Sequence, residues 1–210
     1  MSYIDALYKR DEDKIYVVER DPKKGRVFVE YDARYVFYYE DARGKHRSMT
    51  GAPLQRVQCA TQKEFIKEQR IRSNKQLYEQ DINPVFRCLE ENYLGKETPK
   101  LNTMFFDIEV DFDPERGYST TDDPFMPITA ISCYMSWTDQ LVTLAVPPKT
   151  INMQEAKVLT ERFPNTMLFE KEKDMLDAFL ELVQDADILS GWNSEGYDIP
   201  YTVGRIQKVL

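Results

Sequence analysis

The chain has 210 residues, 42% of them hydrophobic, and a formal net charge of −8, which is enough apolar material for one large domain or two small ones and predicts a folded, globular protein. No run approaches the ~20 apolar residues of a membrane span, and the opening "MSYIDALYKRDEDK" is too charged for a signal peptide, so a cytoplasmic protein without a membrane partner is expected. Cys59, Cys88 and Cys133 stand far apart without CxxC spacing, and the single histidine, His46, sits in a polar turn-like segment; disulfides, zinc sites and histidine-based chemistry are excluded as expectations, leaving buried, reduced thiols and a surface histidine.

Taken in order, the first half opens on short β-like runs, "KIYVVER", "RVFVEY" and "RYVFYYE", separated by turn-forming "DPKKG" and "DAR", which predicts an antiparallel meander. After "LQRVQCA", Thr61 with Glu64 makes a capping-box pattern that starts a helix over 61–72. A second helix is expected from Asn83, with Pro84 at its first position, Phe86, Leu89 and Tyr93 on one face, and Gly95 ending it. "GKETPK" reads as a linker.

The second half begins with strand-like "LNTMFFDIEV", "ITAISCYMSW" and "QLVTLAV". A helix capped by Asn152 with Glu155 follows, carrying Met153, Ala156, Leu159 and Phe163 on its apolar face. Then come a short strand "TMLFE", a helix from about Lys171 to Gln184 with Met175, Leu176, Phe179 and Val183, a strand "DILSGW", and a helix carrying Ile199, Val203, Ile206 and Leu210. Strands followed by alternating helix and strand predict a mixed α/β sheet, and no helix stop signal precedes Leu210, so the chain is expected to be the front of a longer or split protein.

Charge divides the chain at the linker. Residues 1–100 carry 20 Lys and Arg against 17 Asp and Glu, a net of +3, whereas residues 101–210 carry 8 against 19, a net of −11. The expected domains are therefore 1–100, β-rich, and 101–210, α/β.

The acid excess is concentrated behind an apolar pair in "TMFFDIEVDFD". If the strand continues, Asp107, Glu109, Asp111 and Asp113 line one face, and such like charges call for a cation. Oxygen ligands without His or Cys favour Mg²⁺ or Mn²⁺. A calcium loop is excluded because Phe112 occupies the position that needs glycine. A solvated acidic strand end is the plainer alternative. Asp198 likewise reads either as the N-terminal cap of the last helix or as a functional group at a strand end, beside Gly191, Trp192 and Asn193.

The segments "FFDIEV" and "GWNSEGYDIPY" closely resemble the first and second exonuclease motifs of family B DNA polymerases, with the second most like the tailed-bacteriophage branch. The resemblance implies a β-rich N-terminal domain followed by a ribonuclease H-like 3'-5' exonuclease domain, truncated, that removes mismatched nucleotides from the 3' end of single-stranded DNA or a primer-template. It implies two ions of Mg²⁺ or Mn²⁺ held by Asp107, Glu109 and Asp198, the catalytic acids, with Asn193, Tyr197 and Phe106 contacting the strand end. A sliding clamp or the remaining polymerase domains would be its partners, and a phage origin would place it in the host cytoplasm. The family's third motif, Tyr-x-x-x-Asp, is expected to be missing from these 210 residues, and no further acid follows Asp198, so weak metal binding and slow cleavage are expected of these residues alone. A non-catalytic module, binding nucleic acid or docking on a polymerase, is the other reading.

One further segment is chemically suggestive. Residues 56–75 contain six basic residues and two acids, and a helix there carries Lys63, Lys67, Arg70 and Lys75 outward. The stripe reads either as a phosphate-binding surface or as a solvated helix face.

Overall fold

The computed structural model describes residues 2–21 and 23–210, which divide into two compact units, Met1–Lys100 and Leu101–Leu210.

The first unit contains two antiparallel sheets. Strands β1 (Tyr3–Lys9), β2 (Lys14–Asp21) and β3 (Gly25–Asp32) form a meander in that order. The β2–β3 turn is closed by Asp21, whose carboxylate accepts the Lys23 and Lys24 amides, and by Gly25 at φ 74°. The expected meander does not continue into β4 (Tyr35–Glu40). That strand lies instead inside a second sheet with β5 (His46–Arg47), β6 (Pro53–Cys59) and β7 (Leu77–Tyr78), in the order β5-β6-β4-β7. The reason is in its first three residues: Tyr35, Val36 and Phe37 are all buried, so the strand needs cover on both faces.

Helix α1 (Gln62–Ile71) is capped by Thr61, and its Phe65 packs on Tyr35 and Phe37. The helix stops at Ile71, which leaves Lys75 in the following turn. Helix α2 (Pro84–Tyr93) is capped by Asn83 but buries Pro84, Cys88 and Tyr93, while Phe86 is exposed. Its inward face is thus rotated from the expected one, because Cys88 and Tyr93 meet Ile15 and Val17 of β2.

In the second unit, β8 (Thr103–Val110), β9 (Ile128–Met135) and β10 (Gln140–Ala145) run antiparallel, followed by α3 (Met153–Thr160), β11 (Thr166–Leu168), α4 (Glu172–Val183), β12 (Ile188–Ser190) and α5 (Asp198–Val209). The sheet order is β11-β10-β9-β8-β12, with both edge strands parallel to their neighbours. This is the mixed α/β sheet expected from the sequence pattern. Its core joins Met104, Phe106 and Ile108 of β8 to Met175, Leu176 and Phe179 of α4 and to Tyr201 of α5.

Helix α3 departs from expectation. Its reciprocal Asn152–Glu155 capping box is present, yet only Ala156 is buried, and Leu159 and Phe163 are exposed. Ala156 takes no part in the core that α4 and α5 share with the sheet.

Candidate active site

Strand β8 positions the acids by alternation alone. Met104, Phe106 and Ile108 point to the core, so Phe105, Asp107 and Glu109 share the opposite, exposed face. The expected row of four acids is broken, because the strand ends at Val110 and Asp111 is an exposed loop residue. Asp113 folds onto its own turn, accepting the Arg116 and Glu115 amides, which hold its carboxyl below the usual range.

The second motif is brought to the first by β12, whose Ile188–Ser190 pair in parallel with Thr103–Phe105. The chain then leaves at Gly191, where a Cβ would lie 2.3 Å from the Phe106 carbonyl oxygen. No other residue fits beside that backbone. The following turn is closed by Asn193, at φ 52°, whose carbonyl accepts the Gly196 and Tyr197 amides. Gly196 lies against the Asn193 side chain, where a Cβ would be 2.5 Å from Oδ1.

Helix α5 begins at Asp198, and the capping alternative fails: the N-cap is Tyr197 and no side chain caps the helix. The Asp198 carboxylate turns to the sheet, accepting the Ile108 amide at 3.3 Å. Ile108 stands between Asp107 and Glu109, so the start of α5 is held at the level of both acids. Asp198 is 4% exposed. Burial pushes its carboxyl above the ordinary range, the Ile108 amide opposes that, and the Asp107 charge adds to it.

These three carboxyl groups are hard oxygen donors of the kind Mg²⁺ or Mn²⁺ takes. The fit is partial. Among the described residues, no three His, Cys, Asp or Glu side chains come together as a ready-made metal cage.

The aromatic expectation needs correcting. The ring of Phe106 is buried against Phe179 and cannot meet a strand end. The aromatic surfaces near Asp107 belong to Phe105, Tyr134 and Trp192, which line an open depression of about 510 Å³ that includes Asp107. Trp192 is 92% exposed. Beyond the strand, Phe112 and Tyr118 pack together at 4.9 Å, with Tyr118 84% exposed. Strict alternation from Phe106 would have selected Phe105. Tyr197 is half-buried and stacked on Tyr201 at 5.3 Å. A literal Tyr-x-x-x-Asp spacing occurs at Tyr118 and Asp122, in the loop before β9 rather than after Asp198.

That loop is anchored at its far end. Arg205 of α5, almost fully buried, donates to the Pro124 and Phe125 carbonyls and pairs with Glu172 of α4. Glu172 also accepts the Ile128 amide, and Tyr201 donates to the Met126 carbonyl. The basic residues Lys63, Lys67, Arg70 and Lys75 belong to the first unit and are exposed there. All three cysteines are buried and free, and His46 is exposed.

Among the described residues no helix is long and apolar enough to cross a membrane. Residues 53–210 match the family model described as DNA polymerase family B, exonuclease domain. The chain is 31% identical over 117 residues to the DNA polymerase catalytic subunit of Saimiriine herpesvirus 2 (strain 11), covering 54% of this chain and 11% of that protein. It is 39% identical over 46 residues to the DNA-directed DNA polymerase of Enterobacteria phage T4, covering 21% of this chain and 5% of that protein. The chain thus spans only a small part of the length of the relatives it matches.

Proposed function

This chain belongs to the family B DNA polymerase exonuclease domains, and from that membership we propose that it is the N-terminal and proofreading portion of a replicative DNA-directed DNA polymerase. Residues 1–100 form its N-terminal domain and residues 101–210 the front of a ribonuclease H-like exonuclease domain, of tailed-bacteriophage type by the wording of its second motif. The substrate is the 3' end of single-stranded DNA or of a primer-template.

Asp107, Glu109 and Asp198 would hold Mg²⁺ or Mn²⁺, which supplies water activation and stabilisation of the leaving 3' oxygen in two-metal hydrolysis. The chain's own contribution is placement. Asp107 and Glu109 stand on a hydrogen-bonded strand rather than a loop, and Asp198 is set against them by the Ile108 amide. This bond is the observation that carries the reading, since a helix cap would have turned the same carboxylate away from the sheet. Asn193 fixes the turn that delivers α5, and Tyr197, Phe105 and Trp192 offer ring surface for an unpaired base.

A second reading has a specific observation behind it. With no three ligands converging among the described residues and no acid after Asp198, these residues alone act as a nucleic-acid-binding or polymerase-docking module, and cleavage needs the remaining polymerase domains. The test is 3'-labelled single-stranded DNA with Mn²⁺, comparing this chain, its Asp107→Ala variant and a chain extended by polymerase sequence. Cleavage by the extended chain that Asp107→Ala abolishes supports the exonuclease reading. Absence of cleavage from both, with DNA still bound, favours the module.

A further inference from the structure

The first unit carries a line of cations that the exonuclease site does not use. Lys63, Lys67 and Arg70 recur at four- and three-residue spacing on α1, which stacks them along one stripe of roughly 10 Å. All three are exposed. The stripe cannot turn inward, because Phe65 on the opposite face is locked between Tyr35 and Phe37 at 5.6 Å from each.

These cations have no carboxylate partners among the described residues, which is also true of Arg43, Lys45 and Arg56; what sets them apart is that three of them share one helix face. Elsewhere in the unit Lys9, Lys14, Arg34 and Arg87 are each tied to an acid. The two acids of α1 are engaged otherwise: Glu64 accepts the Ala60 amide, and Glu68 pairs with Arg72 at 2.5 Å. Among the described residues, no ion pair involves Lys63, Lys67 or Arg70. In the turn after the helix, the Lys75 ammonium lies 4.5 Å from the Tyr39 ring centre, with the Arg72 guanidinium 4.9 Å from the same ring. An aromatic ring that already holds Lys75 lowers the entropy lost when it meets an anion.

We propose that this surface, Lys63, Lys67 and Arg70 on α1 with Lys75 in the turn that follows, is a second nucleic-acid contact that binds the phosphodiester backbone independently of the acids at 107, 109 and 198. A row of unpaired like charges on a convex helix suits a ligand whose opposite charge also repeats along a line. Backbone neutralisation carries no sequence preference and is strongly salt-dependent. The alternative of an ordinary solvated face predicts no ligand.

The test is fluorescence anisotropy of labelled oligothymidylate, and separately of a duplex of equal length, titrated with the full chain in EDTA over a series of salt concentrations. Every protein carries Asp107→Ala, so neither cleavage nor metal at the acids contributes. Changing Lys63, Lys67 and Arg70 together to Gln should weaken binding at low salt at least tenfold. It should also flatten the slope of log affinity against log salt by about 2, from roughly 0.7 per single-strand phosphate contact. Lys23→Gln with Lys24→Gln, a loss of two charges elsewhere in the unit, should leave the slope alone. A flattened slope with the single strand only assigns the surface to single strands, and flattening with both assigns it to the backbone of either. If the glutamine variant misfolds, replacement of Lys63 and Lys67 by Arg must retain binding. Affinity and slope unchanged in the glutamine variant, or equally reduced in the Lys23/Lys24 control, overturns the proposal and leaves the exonuclease reading intact.

Discussion

The Ile108 amide donates to the Asp198 carboxylate across 90 positions of sequence. The bond requires an acceptor oxygen at Asp198 but not a charge, and burial disfavours the charge. Asp198→Asn is therefore expected to unfold in urea at a concentration equal to or above that of the parent, while losing DNA cleavage in the extended chain. Asp198→Ala leaves the buried amide without a partner and should lower stability by about 1–3 kcal/mol. A destabilised Asn variant would show that the charge itself holds α5 in place.

The Arg205–Glu172 pair joins α5, α4 and the loop before β9, and both side chains are about one tenth exposed. Removing one partner strands the other as a buried charge, at a cost of about 3–5 kcal/mol. Arg205→Met should show that loss by urea denaturation, and Glu172→Gln a smaller one, because the amide oxygen still accepts. The double variant should be more stable than the sum of the two single losses predicts.

Gly191→Ala should be damaging despite its small size. The added methyl meets the Phe106 carbonyl, which belongs to the sheet and cannot swing aside. About 1–3 kcal/mol of destabilisation is expected, with earlier hydrogen exchange along β12. Gly25→Ala should cost less, since nothing lies within 4 Å and only the positive φ resists it.

Burial raises the Cys59 thiol to about 11 and the Cys133 thiol to about 12. In the unfolded chain both ionise near pH 9, so the folded state holds more protons above that pH. Their contribution to stability is complete below pH 9 and is lost as pH rises toward 11 and 12. The urea midpoint should fall between pH 8 and pH 10, and Cys59→Ala with Cys133→Ala should flatten that fall. Native-state alkylation at pH 8 should be slow at all three cysteines.

Tyr118→Ala should leave the urea midpoint nearly unchanged, because the ring is exposed. On the exonuclease reading it should weaken single-strand binding by about 1–3 kcal/mol if a base stacks there. Equal binding by anisotropy would remove Tyr118 from the substrate path.

Patterns governed by immediate neighbours were legible in the sequence. The Asn152–Glu155 box and the alternation of β8 depend on residues a few positions apart and took their expected local form, whereas at Thr61 only half of the expected box formed, because Glu64 accepts the Ala60 amide instead of the Thr61 amide. What was not legible depends on remote partners. Strand β1 lacks a regular alternation of apolar and polar residues, and only its pairing with β2 identifies it. The exposure of Leu159 and Phe163 follows from where α3 lies over the sheet, and the exposure of Phe86 from where Cys88 finds β2. At the site, Asp107 and Glu109 were readable as a same-face pair, and the same alternation turns Phe106 inward, whereas the inward turn of Asp198 needed α5 in place.

The pairing of β12 with β8 also sets an order of events during synthesis. At roughly 5–20 residues per second, β8 leaves the ribosome several seconds before α5. In that interval the hairpins of β8, β9 and β10 have no Tyr201 over their buried side, and Asp107 and Glu109 face water without Asp198. Closure over long sequence separations is slow relative to local helix formation. A nascent chain therefore displays its acids early and assembles them late, so a partly translated protein is held back from any chemistry that needs all three.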